Sequence, residues 1–321
     1  MVNLSAAIVG SSDFVTAAMV RRCKGKTRLS KQCSITETCT LTNDAGRCVG
    51  EPLKRGGDHC LFHAKPFCTE PVEVDAKSLV VVLLDLETTG TDIGCARILE
   101  LAAVHAQRDA RFVGGGFSAL VQVEPAILET DVSRRAEAVH GISPQEVAAL
   151  GLDFEAVWGA FLAWTDHLVN DFVGTPSSSS DSDAEDAEDV ARLPQAGEAR
   201  LLLVGHNSFA FDFPFLIVEL LRHRLSLAPM ERFLFADTLT IFKAMECSGH
   251  GCLKLQCMVR AFGRPGDLRA HRGYDDTLAL LQVATTLAQR LDLSLLQLLS
   301  RFASTLDVQA TCAALSVLME D

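Results

Sequence analysis

The chain has 321 residues, a hydrophobic content of 48% and a formal net charge of −12. This length holds one large domain or two of ordinary size, and this hydrophobic content excludes a wholly disordered protein. The acidic total also argues against a protein that coats nucleic acid with a uniformly basic surface. The charge is uneven, however: residues 19–65 hold ten Lys and Arg against four Asp and Glu, whereas residues 181–189 hold six carboxylates and no base.

The N-terminal segment, residues 1–75, is rich in cysteine, with six of the chain's eleven cysteines between Cys23 and Cys68. An odd total without a secretory signal favours reduced thiols and metal ligation over a disulfide framework. Cys60 and His63 are spaced as a half-site for tetrahedral zinc, and a basic turn separates Cys23 from Cys33. We therefore predict a small zinc-binding module, with four ligands: Cys23, Cys33, Cys60 and His63.

Two alternatives to this module stay open. Cys39, Cys48 or Cys68 can replace one of the ligands, and the whole segment can instead be a weakly folded extension with free thiols. Its basic turn suits phosphate backbones, and a protein partner is the other candidate. The chain shows no run of the ~18 apolar residues that span a bilayer. We expect a soluble intracellular protein, in the nucleus or cytoplasm, with an organelle left open.

Regular structure is predicted from the apolar run 79–86, which has the character of a buried central strand. Further strands are predicted at 97–106 and 117–123, with the three glycines at 114–116 as the turn between them. Ser143 can cap a short helix whose first turn holds Pro144 and Glu146. An amphipathic helix is predicted over 153–170.

A segment from 174 to about 200 combines a serine run with a carboxylate run, and we expect it to be a disordered surface insertion. Competition with an anionic substrate, or docking of a partner, is its alternative role. After it, strands and helices alternate as far as residue 290, which predicts a mixed α/β domain over 78–290. Residues 291–321 are predicted to be a helical extension that packs on the outside of the domain.

Acidic side chains follow several of these elements. Asp85 and Glu87 are two residues apart at a strand end, so both leave the same face. Asp212 begins a helix after a strand, and His271 stands five residues before Asp276 at the start of another. Each motif alone fits a structural role, such as a solvated turn, a helix cap or a favourable dipole. Spacing alone also leaves Asp275 as an alternative to Asp276. Together, four carboxylates and one imidazole have the composition of a two-metal phosphodiesterase site.

The order DxE, HNxxxFD, HxxxxD closely resembles the DEDDh-type 3′→5′ exonucleases, nearest to their three-prime repair and proofreading branches. The resemblance covers about 78–290, and HGIS at 140–143, FDFPFL at 211–216 and FADTL at 235–239 add to it. It implies an RNase H-like fold, a mixed sheet flanked by helices. It also implies two Mg²⁺ or Mn²⁺ ions on Asp85, Glu87, Asp212 and Asp276, with His271 as the base that deprotonates the attacking water.

The same resemblance implies contacts to the terminal nucleotide from Thr88, Thr89, His140 and Asn207. Capping and turn hydrogen bonds are the alternative role of His140 and Asn207. The predicted substrate is a single-stranded or frayed 3′ end, with DNA favoured over RNA, from which nucleoside 5′-monophosphates are released. An RNA 3′-end trimming enzyme is the alternative within the same chemistry. A non-cutting adaptor that binds nucleic acid is the alternative outside it.

Overall fold

The computed structural model describes residues 67, 69–107, 112–174, 199–245, 252–262 and 271–316. The predicted zinc ligands Cys23, Cys33, Cys60 and His63 lie outside these residues, as does most of the predicted acidic insertion. The zinc-binding module therefore stays a prediction. The described residues form a mixed α/β architecture built on one seven-stranded sheet. This agrees with the predicted fold class.

The sheet contains parallel and antiparallel strands in the order β1-β7-β6-β5-β2-β3-β4. The central pairs β2–β5 and β5–β6 are parallel, and the outer pairs are antiparallel. The strands are β1 (Thr69–Pro71), β2 (Leu79–Thr88), β3 (Ile98–Ala106), β4 (Phe112–Leu120), β5 (Arg200–Gly205), β6 (Leu234–Asp237) and β7 (Ser304–Leu306).

Strand β2 is apolar on both faces because both faces of the sheet are covered. Val80, Val82 and Leu84 pack into one core cluster, while Val81 and Leu83 pack into the cluster on the opposite face. Alternate side chains of a strand point to opposite faces, so a continuous apolar run is what a central strand needs. Two carboxylates, Asp85 and Glu87, lie near the C-terminal end of β2.

The helices cover both faces of this sheet. They are α1 (Pro125–Leu128), α2 (Asp131–His140), α3 (Pro144–Leu150), α4 (Phe154–Gly174), α5 (Asp212–Arg222), α6 (Ala228–Arg232), α7 (Thr238–Ala244), α8 (Leu255–Phe262), α9 (Gly273–Arg290), α10 (Leu295–Ser300) and α11 (Val308–Ser316). The predicted cap of α3 is present, since the Ser143 hydroxyl accepts a hydrogen bond from the Glu146 backbone N–H. Among the described residues, no helix combines the length and apolar character needed to cross a bilayer.

The predicted turn at 114–116 is wrong, because these glycines lie inside β4. A β carbon on Gly116 would lie 2.5 Å from Cε2 of Tyr274 and 2.6 Å from the backbone oxygen of Ala103. The strand therefore passes between a neighbouring backbone and the aromatic ring at the start of α9, where only glycine fits.

The C-terminal residues contribute a strand as well as the two predicted helices. Strand β7 pairs with β1 and β6 inside the sheet, and the Ser304 hydroxyl donates to the Phe235 backbone oxygen at 3.0 Å. Leu298 and Leu299 of α10 are fully buried. The end of the described chain is thus part of the core.

Candidate active site

Three carboxylates from two elements converge at the C-terminal end of β2. Asp85 and Glu87 lie on β2 and Asp276 lies in the first turn of α9; one ligand oxygen of each lies within 4.8 Å of the others. Asp276, and not its neighbour Asp275, is the third member of this group. Since alternate residues of a strand share a face, the two β2 side chains point to α9 together. This carboxylate cluster of Asp85, Glu87 and Asp276 is the centre of the candidate site.

Asp212 lies beside the cluster at the start of α5. Its Oδ1 accepts a hydrogen bond from the backbone N–H of Leu86 at 3.1 Å, between the two β2 carboxylates in sequence. The residue is buried, with 3% of its surface exposed, and its negative charge acts on Asp85. It is not a member of the 4.8 Å group.

His271 lies two residues before Gly273, the first residue of α9. Its backbone N–H donates to Oδ2 of Asp276 at 2.9 Å, and its φ of 64° lies in the left-handed region. The residue is exposed to solvent. The turn therefore places an exposed imidazole within a few residues of a carboxylate in the cluster.

Burial and mutual repulsion destabilise the ionised forms of these carboxylates and raise their pKa values. Burial, followed by the charge of Asp212, raises the pKa of Asp85 well above its usual range. Burial, followed by the charge of Asp276, raises the pKa of Glu87 to about 8. Burial also raises the pKa of Asp212 to about 7, although hydrogen bonds from its own backbone and from Leu86 oppose the rise. Like charges this close in a buried site favour the protonated forms unless a cation binds.

The donor set fits hard divalent cations. Asp85, Glu87 and Asp276 each offer a carboxylate oxygen within a shared 4.8 Å, and Mg²⁺ and Mn²⁺ prefer oxygen ligands of this kind. Cysteine and histidine, the ligands that zinc prefers, are absent from this three-residue group.

His140 is held beside the site as a neutral ring. Its Nδ1 accepts the backbone N–H of Ile142 at 3.0 Å, so the proton of the neutral imidazole lies on Nε2. Burial, followed by the charge of Arg272 and then that of His271, lowers the pKa of His140 to about 4. Among the described residues, the buried Nε2 atom has no hydrogen-bond partner. It is a buried donor whose hydrogen bond is unsatisfied within the described part of the chain.

The other predicted substrate contacts take part in the loops that border the cluster. The Thr88 hydroxyl donates to the Gly90 backbone oxygen at 2.6 Å, and the Thr89 hydroxyl accepts the Arg97 backbone N–H at 2.9 Å. Asn207 has a φ of 66°. Asparagine tolerates this left-handed backbone better than most residues. These polar groups therefore shape the loop after β2 and the loop after β5.

Sequence reasoning missed the acid that faces Glu87 across the β2–β3 ladder. Glu100 is Glu87's register partner and is only 2% exposed. It accepts hydrogen bonds from the Ser118 hydroxyl at 2.9 Å and from the Gly273 backbone N–H at 3.2 Å. The feature of the sequence that could have identified Glu100 is that it is the single carboxylate inside the apolar run 98–106.

Two further features of the site were also missed. Arg272 lies between Glu100 and Glu146, with its guanidinium 3.9 Å and 3.3 Å from their respective carboxylates. Cys252 and Cys257 form a disulfide at the start of α8, although the cysteine pattern favoured reduced thiols and metal ligation over a disulfide framework. Cys252 lies just before α8 and Cys257 lies within it, and their α carbons are 5.9 Å apart, within the usual range for a disulfide.

Residues 82–174 match the family model described as Exonuclease. This segment is similar to exonucleases, and it makes up less than half of the chain. It contains Asp85 and Glu87, together with the HGIS motif that begins at His140.

A curated relative agrees with the match. Exonuclease DPD1, chloroplastic/mitochondrial, of Arabidopsis thaliana is 28% identical to this chain over 246 residues. The match covers 74% of this chain and 65% of that protein, so the chain spans just under two thirds of the relative's length.

Two solved structures are also similar. A full-length 3′-exonuclease has a TM-score of 0.51 at 16% identity, covering 70% of this chain and 65% of that one. The nuclease domain of 3′hExo, described as a DEDDh family member bound to rAMP, has a TM-score of 0.49 at 18% identity, covering 66% and 92%. The first likeness supports the predicted RNase H-like fold. The family model and the curated relative support the predicted enzyme class at the level of an exonuclease.

Proposed function

We propose that this protein is a metal-dependent 3′→5′ exonuclease that hydrolyses the terminal phosphodiester of DNA and releases nucleoside 5′-monophosphates. The observation that carries the proposal is the carboxylate cluster of Asp85, Glu87 and Asp276, with His271 on the same turn as Asp276. This arrangement concentrates buried negative charge beside an exposed imidazole. A phosphodiester, itself an anion, can enter such a site only when cations accompany it.

Asp85, Glu87 and Asp276 would hold the divalent cations, and Asp212 would complete the set from the start of α5. When bound, a pair of such ions neutralises the charge that develops on the attacking and leaving oxygens of the phosphoryl group. The protein contributes the rigid spacing of the carboxylates. Asp212 is fixed by the Leu86 backbone N–H, and Asp276 is fixed by the His271 backbone N–H.

His271 would take the proton from the attacking water on an imidazole nitrogen. Histidine suits this role because its ordinary pKa lies close to neutral pH. Its exposed position lets the proton pass on to solvent after each cycle.

His140 would hold the terminal nucleotide through the Nε2 hydrogen that has no partner among the described residues. The low pKa of about 4 keeps this ring neutral, so it remains one donor and one acceptor throughout the working range of pH. Thr88, Thr89 and Asn207 would line the same pocket from the loops after β2 and β5. Arg272, whose charge acts on Glu87, would add a positive charge near the cluster.

DNA is the proposed substrate because the motifs of the chain resemble the repair and proofreading branches of these exonucleases. A panel of 5′-labelled oligonucleotides tests it: one DNA and one RNA oligomer of the same sequence, each single-stranded, blunt-ended or with a frayed 3′ end. We expect ladders that shorten from the 3′ end of DNA, fastest on single-stranded and frayed ends. Faster shortening of the RNA oligomer would contradict the proposed preference for DNA, but it would not contradict the proposed hydrolysis of the terminal phosphodiester.

A further inference from the structure

A glutamine from a neighbouring helix reaches the carboxylate cluster. Gln256, in the first turn of α8, donates its Nε2 hydrogen to Oδ1 of Asp276 at 3.1 Å. The other oxygen of Asp276, Oδ2, accepts the backbone N–H of His271 at 2.9 Å. An ionised carboxylate only accepts hydrogen bonds, so the amide of Gln256 must present its NH₂ group to it. Each oxygen of Asp276 thus has one protein donor.

The start of α8 is fixed on two sides. The Cys252–Cys257 disulfide closes around Gln256, with the two α carbons 5.9 Å apart. Next to it, the backbone oxygen of Leu253 accepts the Nε2 hydrogen of His206 at 2.8 Å, which joins the segment to the end of β5. Because the backbone of this turn is already fixed, only the side-chain rotamers of Gln256 remain to be ordered when it makes its hydrogen bond.

The packing of α8 on α9 keeps this contact in register. Met258 and Phe262 of α8 share a buried cluster with Leu280 and Leu281 of α9. The two helices therefore hold the Gln256 amide against the first turn of α9, where Asp276 lies. No motif of the sequence singles out this glutamine.

We infer that Gln256 is a positioning residue of the metal site, which acts through Asp276 and is held in place by the Cys252–Cys257 disulfide. The inference rests on the proposed metal site. The hydrogen bond from Gln256 sets the rotation of the Asp276 carboxylate, so that the remaining lone pairs of this carboxylate face Asp85 and Glu87. Partners of this kind, which orient a metal ligand, contribute about 10–100-fold to metal affinity.

Gln256→Met tests this role, because methionine keeps the length of the side chain and removes the donor. Mn²⁺ binding is measured by electron paramagnetic resonance on protein purified without reductant, so that the readout does not depend on cleavage. We expect Mn²⁺ affinity to fall about 10-fold. The Mg²⁺ concentration for half-maximal cleavage should rise by a similar factor, while the rate at saturating Mg²⁺ stays close to wild type.

Gln282→Met is the matched control, since Gln282 lies on the same helix as Asp276, away from its first turn. It should bind Mn²⁺ as wild type does. Circular dichroism melting of the metal-free variants verifies that each is folded. Wild-type affinity in a folded Gln256→Met protein would overturn the inference. Absence of Mn²⁺ binding in wild type would instead overturn the metal site itself.

The disulfide is tested by the double variant Cys252→Ser with Cys257→Ser. We expect it to weaken Mn²⁺ binding severalfold in the wild-type background and to have no further effect when Gln256→Met is already present. Such non-additivity identifies two changes that act through one contact. Equal losses in the two backgrounds would show that the disulfide does not act through Gln256.

Discussion

Glu100 on β3 accepts a hydrogen bond from the backbone N–H of Gly273, the first residue of α9, at 3.2 Å. This bond joins a central strand to the helix that carries Asp276, and Glu100 is also the register partner of Glu87. The distance between the two halves of the carboxylate cluster therefore depends on how closely α9 approaches β3. That approach requires glycine at 273, because a β carbon there would lie 2.9 Å from the β carbon of Ala102.

Gly273→Ala should push the start of α9 away from β3. Overpacking of this kind costs about 1–3 kcal/mol of unfolding free energy. We expect a lower free energy of unfolding in urea and weaker Mn²⁺ binding, because Asp276 moves with the helix. Gly159→Ala is the matched control: Gly159 lies within α4, and its β carbon would meet nothing within 4 Å. It should stabilise the protein by about 0.5–1 kcal/mol. Equal behaviour of the two variants would contradict this account.

Asp85→Asn should abolish cleavage while leaving the fold intact. The change removes one ligand and one buried charge, so activity should fall by more than the roughly 100-fold seen for outer partners of a metal site. Burial and the charges of its neighbours disfavour ionised Asp85. The metal-free variant should therefore melt at or above the wild-type temperature in calorimetry at pH 8. A lower melting temperature would show that Asp85 stabilises the fold rather than the metal site.

Two variants at position 271 separate the imidazole from the backbone. His271→Asn keeps a residue that tolerates the left-handed φ of 64°, whereas His271→Ala adds strain there. Both should lower the turnover number by about 10²–10⁴-fold, the usual contribution of a general base. Since the backbone N–H of residue 271 still reaches Asp276, the Asn variant should bind Mn²⁺ as wild type does. Near-normal turnover of His271→Asn would exclude the imidazole as the base.

His206 should make the fold sensitive to acid. Its Nε2 hydrogen donates to the Leu253 backbone oxygen, and burial lowers its pKa from 6.5 to about 4. Between these values the unfolded chain binds the proton and the folded chain does not. The stability from neutral His206 is therefore complete above pH 6.5 and is lost as the pH falls towards 4, by at most about 3 kcal/mol.

Urea unfolding of wild type and His206→Gln at several pH values measures this contribution. Glutamine retains a donor for Leu253 and does not titrate. The unfolding free energy of wild type minus that of His206→Gln should fall steadily as the pH is lowered from 6.5 to 4. A difference that is constant over this range would contradict the role assigned to His206.

Much of the fold follows from local patterns in the sequence. The run 79–86 predicts a central strand because both of its faces are apolar, and the strand is observed at Leu79–Thr88. The Ser143 cap of α3 is visible because its chemistry is confined to four consecutive residues. The prediction of a turn at 114–116 was wrong because it relied on the three glycines alone. A glycine required by a close approach, here to Tyr274, looks the same in sequence as a glycine required by a turn.

The parts of the site that escaped prediction depend on contacts between distant segments. Leu86 and Asp212, joined by a hydrogen bond, are 126 positions apart, and Gly273 and Glu100 are 173 apart. Gln256 is separated from Asp276 by only 20 positions, but its contact arises from the packing of two helices. Strand β7 was missed since three residues are too few for a period of two to be recognised.

The proposed function requires the cluster of Asp85, Glu87 and Asp276 to support metal-dependent removal of nucleotides from a 3′ end. The most direct measurement follows a single-stranded DNA oligonucleotide labelled at its 3′-terminal nucleotide, incubated with wild type or Asp85→Asn, with Mg²⁺ or with a chelator. Wild type with Mg²⁺ should release the label as a nucleoside 5′-monophosphate from the earliest time points, and the other three combinations should release none. Release by Asp85→Asn, release in the chelator, or release of longer fragments by wild type would contradict the account.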